Sequence, residues 1–333
     1  MALRTLAGLA GSLVLAAPAH AHAVDLEQPD VQAFIQTMVR EHDYDPEKLR
    51  DILGQAEIDD SVVELISKPA EKTLTWAQYR AIFITRERID AGAVFWKANC
   101  DALQHISADT GVPVEIVVGI IGVESYYGRI TGGHRVLDAL ATLAFDYPPR
   151  AKYFRSELEQ FLLLVREEGM PATEPIGSYA GAMGRPQFMP SSFRAYAVDE
   201  SGDGKRDIWN DWGDVAGSIA NYFVKHGWHA GEEIVTRATL GQEWHGPAPE
   251  PANTLAAADT IRSLSEEGVM FSTDLPLDSE GQLLALQGAD GPEYWVGFHN
   301  FFVITRYNRS VMYALAVQQL GQEVALEVAR DGS

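Results

Sequence analysis

The run VPVEIVVGIIGV, at residues 112–123, is apolar almost all round, and a helix with such a surface has to be packed on every side. Its expected start is Pro113, a favoured first helical position, and its expected end is Glu124. Gly119 and Gly122 lie three apart on it, and each costs ~1 kcal/mol relative to Ala. That cost makes sense if another element packs closely against the same face. Glu124 follows directly, and Glu is rarely buried without a partner. It therefore needs either a structural partner or a chemical role.

Helical spacing recurs on both sides of this run. Val31, Phe34, Ile35, Met38 and Val39 form one face of an opening helix, and helical patterns continue to about residue 105. Tyr153, Phe154, Leu158, Phe161, Leu162 and Val165 mark another helix, which stops near Gly169 and Pro171. Val215, Ile219, Tyr222 and Phe223 mark a third, with Asp214 placed to cap it. After residue 233 the character changes. HGPAPEPAN is a Pro-rich connection, and QLLALQGADGPEYWVGFHNFFVIT gives short apolar and aromatic runs separated by turn residues, as in a small β subdomain. From Asn308 a helix returns through Val311, Met312, Leu315 and Leu320, with Gly321 as its expected end.

The N-terminal stretch MALRTLAGLAGSLVLAAPAHAHA has one early cation, an apolar segment too short to span a bilayer, and small residues at Ala19, Ala21 and Ala23. It is read as a cleaved secretory signal over residues 1–23. No Cys follows where a lipid anchor would attach, and the single Cys is Cys100, so the mature chain is expected to be exported, soluble and free of internal disulfides. The formal net charge of −21 argues against sequence-independent nucleic-acid binding and against attraction to an acidic membrane.

Three segments can carry chemistry. Burial disfavours the charged form of a carboxyl, so Glu124 could hold a proton and deliver it to a leaving oxygen; alternatively it reaches water or pairs with Arg129. GSYAGAMGRPQFMPSSF, with Ser178, Gln187 and Phe188, offers a neutral polar and aromatic lining suited to a sugar, or is only a flexible loop. DESGDGKRDIW places oxygen donors at Asp199, Ser201 and Asp203, Gly204 at the sixth position and the Lys205 carbonyl at the seventh, like the first half of an EF-hand loop. The twelfth position is Asn210 rather than Glu, which leaves Asp207, Asp211 or Asp214 to close a calcium site, or a plain acidic turn. Aromatic residues in WAQYR and RYNRSVMY are candidates to line a groove, with core packing as the alternative for each. There is no HExxH, GxSxG or P-loop pattern.

Together, GIIGVESYYGR, LATLAFDYPPRAKYF, GSYAGAMGRPQFMPSS, VDESGDGKRDIW, GSIANYFVKHGW and FFVITRYNRSVMYALAV resemble the lytic murein transglycosylase B family, in order and over nearly the whole mature chain. The resemblance implies a soluble periplasmic enzyme that cuts peptidoglycan between N-acetylmuramic acid and N-acetylglucosamine and leaves 1,6-anhydro ends. Glu124 would act first as acid and then as base. Ser178 and Gln187 match positions near the scissile bond; Tyr79, Phe188, Tyr222, Tyr307, Asn308 and Tyr313 match groove or supporting positions. Arg150 is the residue left to meet the peptide stem, because Pro149-Arg150 stands where relatives can have two Arg. Arg185-Pro186 stands where many members have Tyr-Gly. Asp199, Ser201, Asp203, Lys205 and Asp214 match a structural calcium loop, and no organic cofactor is implied.

The implied fold is α+β and mainly α. A lysozyme-like core at 76–232 follows a helical region at 24–75, with a small antiparallel β subdomain at 233–303 and a C-terminal helix at 304–333 completing the groove. Glycan strands are the expected partner, with other cell-wall enzymes as further partners; neither nucleic acid nor a stable membrane anchor is expected. Two rival readings are a hydrolytic muramidase, in which Asp138 or Asp146 positions water, and an inactive peptidoglycan-binding scaffold.

Overall fold

The computed structural model describes residues 21–67, 74–255 and 259–331. Positions 1–20 of the expected signal lie outside that set, while Ala21–Ala23 (β1) pair antiparallel with Glu57–Asp59 (β2). Between these strands lie α1 (Pro29–His42), which begins on a proline and buries Val31, Phe34, Ile35 and Met38, and α2 (Pro46–Leu53). The Asp45 side chain caps α2 by accepting from the Glu47 and Lys48 N–H groups. Helix α3 (Asp60–Ser67) completes this region.

The helical core follows as α4 (Trp76–Phe83), α5 (Arg86–Ala98), α6 (Cys100–Thr110), α7 (Val114–Ser125), β3 (His134–Arg135), α8 (Val136–Phe145), α9 (Ala151–Glu167), β4 (Ile176–Gly177), α10 (Pro190–Tyr196) and α11 (Trp212–Lys225). The apolar run is α7, buried from Val114 through Gly122 except at Glu115. It stops where it does because Tyr126, Tyr127 and Gly128 take left-handed φ values of 50°, 57° and 81°. The Ser125 hydroxyl donates to the Ile121 carbonyl at 3.2 Å and accepts from the Gly128 N–H at 3.1 Å, which holds that reversal. Glu124 is thereby fixed in the last turn of α7.

Helix α11 differs from expectation at its start. Asp211, not Asp214, is the cap, accepting from the Gly213 and Asp214 N–H groups, because the helix begins at Trp212. Asp214 is instead a fully buried side chain inside the first turn.

The remaining strands, β5 (Val235–Leu240), β6 (Asp259–Thr260), β7 (Val269–Met270), β8 (Glu280–Gln287) and β9 (Pro292–Phe298), make an antiparallel sheet in the order β6-β8-β9-β5-β7, with α12 (Ile261–Glu266) beside it. Ala238, Ile261, Leu264, Val269, Val296 and Phe298 form its own small core. HNFFV, grouped with these strands in the sequence, begins α13 (His299–Tyr307), and α14 (Val311–Asp331) follows. The chain is α+β and mainly helical, as its sequence implies.

Gly321 does not end the last helix, which continues to Asp331. It marks a close crossing: a Cβ there would lie 2.0 Å from the Glu115 carbonyl oxygen, and one on Gly119 would lie 2.3 Å from the Val317 carbonyl oxygen. This explains Gly119, since its partner is α14 backbone, which cannot give way like a side chain; a Cβ on Gly122 would instead meet the Leu320 and Tyr127 side chains, 2.7 Å away. In Gly321→Ala, the ~1 kcal/mol gain in helix propensity opposes an overpacking cost at the top of the usual ~1–3 kcal/mol range. Urea unfolding is expected to show a net loss of about 2 kcal/mol, whereas Gly133→Ala, with nothing within 4 Å of its Cβ position, should change stability by less than about 0.5 kcal/mol.

Candidate active site

The crossing of α7 and α14 brings Glu124 to the start of α14, where the Tyr313 hydroxyl donates to Glu124 Oε1 at 2.5 Å. Glu124 is half-buried rather than enclosed, while Tyr313 is only 2% exposed. Burial first, and the charge of Glu124 second, hold the Tyr307 and Tyr313 phenols well above the usual tyrosine range. Both hydroxyls therefore keep their protons and remain donors. Tyr79, buried on α4, enters the same group through its electrostatic effect on Tyr313.

Two capping contacts fix Tyr313. Its own N–H donates to the Ser310 hydroxyl at 3.1 Å. Asn253 Oδ1, from the Pro-rich connection, accepts from the Ser310 hydroxyl and from the Met312 N–H, each at 2.9 Å. Neither Ser310 nor Asn253 stands out in the sequence, because an Asn after prolines reads as a turn residue and not as a remote helix cap.

The loop after β4 forms the other side. Met183 and Phe188 exchange backbone hydrogen bonds at 2.8 and 3.1 Å, closing a tight hairpin over Gly184–Gln187. Gln187 has φ of 54°, a strained value for a residue with a Cβ. Its Nε2 donates to the Gly184 carbonyl at 2.7 Å and the Thr131 carbonyl at 3.1 Å, offsetting that strain and setting the side chain's direction. The Ser178 hydroxyl accepts from the Ala180 and Ala182 N–H groups at 3.2 and 3.1 Å.

Loop and helices meet through aromatic rings. Phe188, Tyr222 and Tyr307 pack with centroids 4.9–5.9 Å apart. Tyr307 donates to the Pro186 carbonyl and Tyr222 to the Arg306 carbonyl, both at 2.7 Å. Asn308 sits at the end of α13 in extended backbone, one residue beyond Tyr307. The Pro of Arg185-Pro186 thus supplies the acceptor for Tyr307, while the Arg185 guanidinium lies 3.8 Å from the Trp212 ring centre.

Arg150 stands apart from this group. It is exposed at the end of the Pro148–Arg150 turn, with its guanidinium over Tyr153 and Phe154. Asp138 is committed to Arg135 through contacts of 2.5 and 2.7 Å and to the Glu57 N–H at 3.0 Å, and Asp146 is an exposed residue ending α8.

The acidic loop folds around its first residue. Asp199 Oδ1 accepts from the N–H groups of Gly202 and Asp203, and Oδ2 from that of Gly204. Desolvation pushes the Asp199 carboxyl up, but these N–H groups outweigh it and hold the carboxyl below its usual range. The Lys205 N–H donates to Asp203 Oδ1 at 2.9 Å, and the Ser201 hydroxyl lies 3.3 Å from Asp199 Oδ1. Asp214 accepts from the N–H groups of Glu200, Ser201 and Asp207, so it organises the loop from inside. Among the described residues no group of three or more His, Cys, Asp or Glu side chains converges as a metal cluster. The oxygen donors of this loop are instead a mixed set of carboxylates, a hydroxyl and a backbone carbonyl, which suits a hard cation.

A mainly helical molecule with a helix-end carboxylate held by a buried phenol, and a packed group of aromatic rings that includes Tyr307, has the make-up of a glycan-cleaving enzyme of lysozyme-like architecture. The family model described as Transglycosylase SLT domain matches residues 26–322, and the chain belongs to that family. It is 45% identical over 307 residues to the membrane-bound lytic murein transglycosylase B of Escherichia coli (strain K12), covering 90% of this chain and 83% of the relative. The structure of E. coli lytic transglycosylase Slt35 in complex with calcium superposes with a TM-score of 0.83 at 45% identity, covering 92% of this chain and 96% of that one. SltB3 from Pseudomonas aeruginosa in complex with NAG-anhNAM-pentapeptide gives 0.76 at 31% identity, covering 88% and 78%.

The tyrosines set a pH limit. A phenol whose folded-state pKa is raised contributes stability that is whole below its unfolded value of about 10 and is lost as pH climbs through the folded value. Urea unfolding from pH 8 to 11 should show stability falling above about pH 10, less steeply in the Tyr307→Phe/Tyr313→Phe double variant. An equal slope in both proteins would rule out this pair as its source.

Proposed function

We propose that Glu124 is the single acid–base residue of this lytic transglycosylase and that its substrate is the glycan strand of peptidoglycan. The observation that carries the reading is the company Glu124 keeps: the Tyr313 phenol donates to it and its charge acts on the Tyr307 phenol, while Asp138, a candidate second acid, is spent on Arg135. A glycosidase that uses water works with a pair of carboxyls. A carboxyl held by a phenol, with the candidate second acid Asp138 engaged elsewhere, fits a reaction in which the substrate supplies its own nucleophile.

In the first step Glu124 gives its proton to the bridging oxygen as the bond from the muramic acid anomeric carbon breaks, and the N-acetylglucosamine leaves as an alcohol. The Glu124 carboxylate, held by Tyr313, then takes the proton of the muramic acid C6 hydroxyl. That oxygen bonds to the anomeric carbon and closes the 1,6-anhydro ring, with no water consumed. Ser178, Gln187 and Asn308 lie on the segments that frame Glu124 and would orient the sugar by hydrogen bonds; Phe188, Tyr222 and Tyr307 form a rigid wall behind them. Tyr79 would act on Tyr313 electrostatically, and Arg150 would meet a distant part of the substrate.

Calcium would be held by Asp199, Ser201, Asp203 and the Lys205 carbonyl, with Asp214 fixing the loop that presents them. The mixed oxygen donor set and the calcium complex of the relative Slt35 support this. Its role would be to tie the loop to the start of α11. The protein would be exported to the periplasm by its N-terminal signal and would work there on glycan strands alongside other cell-wall enzymes. Among the described residues no single helix is long and apolar enough to cross a membrane.

Digestion of purified sacculi, followed by mass spectrometry of unreduced products, tests the reaction. Muropeptides one water lighter than the reducing-end form are expected, and they should fall by at least about 10³-fold with Glu124→Gln. Reducing ends would show a hydrolase, and an undiminished variant would leave only a binding protein. For calcium, a millimolar excess should raise the melting temperature and Asp199→Ala should abolish the rise; equal melting with and without the ion would refute the site.

A further inference from the structure

In a chain of net charge −21, cations normally find acidic neighbours. Arg306 and Arg309 do not. They are the only arginines among the described residues with no side-chain hydrogen bond, ion pair or aromatic ring contact, and both are exposed. They flank Tyr307 and Asn308, at the end of α13 that faces Glu124.

Both line a cleft of about 520 Å³ between α13 and the Pro-rich connection. Its apolar lining comes from Phe302, half-buried, and Leu255, 40% exposed. Its one carboxylate, Glu280, lies 3.7 Å from His299 Nδ1. Asn253 forms part of the wall, but its side-chain oxygen is already spent on the start of α14. Two guanidinium groups beside apolar patches suit a flexible ligand carrying more than one carboxylate and short apolar side chains, since guanidinium pairs with carboxylate through a planar fork. A neutral sugar would leave both charges unused.

We infer that Arg306 and Arg309 bind the carboxylates of the acidic peptide borne by the glycan strand, and so set the enzyme's preference for peptide-bearing over bare substrate. The inference rests on the proposed peptidoglycan substrate and deepens it. It moves that task from Arg150, which is occupied by Tyr153 and Phe154, to a site sharing a helix end with the catalytic group. The catalytic cluster and the cleft are joined by hydrogen bonds: the Arg306 carbonyl accepts from the Tyr222 hydroxyl, and the Asn253 side chain accepts from the helix start that carries Tyr313.

The test is calorimetric titration of Glu124→Gln protein, which binds without turnover, with NAG-NAM-pentapeptide, the same compound with its peptide carboxylates amidated, and NAG-NAM. Adding Arg306→Gln and Arg309→Gln should raise the Kd for the pentapeptide compound about fivefold, the sum expected for two exposed charge contacts, with less than twofold change for the other two. Arg306→Lys/Arg309→Lys should recover part of the loss, and unchanged melting temperatures should accompany all the variants. An equal weakening of NAG-NAM would mean that the arginines act on the sugars the two ligands share, since the lactyl carboxyl is free only in NAG-NAM, and no change with any ligand would mean that they bind nothing; either outcome overturns the inference. The transglycosylase reading is judged separately, by anhydro products from protein with Glu124 intact, so either can fail alone.

Discussion

The approach of α7 to α14 is the contact on which the rest of the site depends. Gly119 faces the Val317 carbonyl and Gly321 the Glu115 carbonyl, so the two backbones touch where side chains would normally separate them. Two glycines inside helices forgo about 2 kcal/mol of propensity. In exchange, the α7 end that carries Glu124 and the α14 start that carries Tyr313 are set within one short hydrogen bond of each other.

Around that pair the chain uses neutral groups to hold position. Gln187 occupies a left-handed backbone position and is kept there by two bonds from its own amide. Tyr307 anchors to Pro186 and Tyr222 to Arg306, so each ring is locked by one hydrogen bond at its tip and by neighbouring rings along its body. Phenols near a carboxylate can donate without competing for its proton, because burial holds their pKa well above the usual tyrosine range. This polarity suits the acid–base role proposed for Glu124.

Much of this was legible in the sequence. An all-round apolar run ending in Glu fixes a buried helix and its exceptional residue, and the loop from Gly177 to Phe193 signals a neutral lining through its glycines and amide. The errors came where local and distant explanations of one residue look alike. Gly321 reads as a helix stop because a close crossing has no local signature, and Asp214 reads as a cap because Asp211, three residues earlier, is an equally good one. HNFFV has the composition of a strand, yet it is helical because Val303 and Ile304 are buried in the main core and not in the sheet's own. Asn253 and the two unpaired arginines gain meaning only from what the fold places beside them. Their sequence neighbours are a proline-rich turn and a tyrosine, and neither reveals a partner.

Glu124 and Tyr313 are 189 positions apart in the chain. Bringing two points together over such a separation costs on the order of 5 kcal/mol in loop-closure entropy, far more than one hydrogen bond returns. The pair therefore cannot assemble as a local motif in a partly folded chain. It exists only where the last long helix lies along α7. The geometry of the proposed acid is thus tied to the whole fold: a chain lacking α14 would keep Glu124 but lose the phenol that holds it.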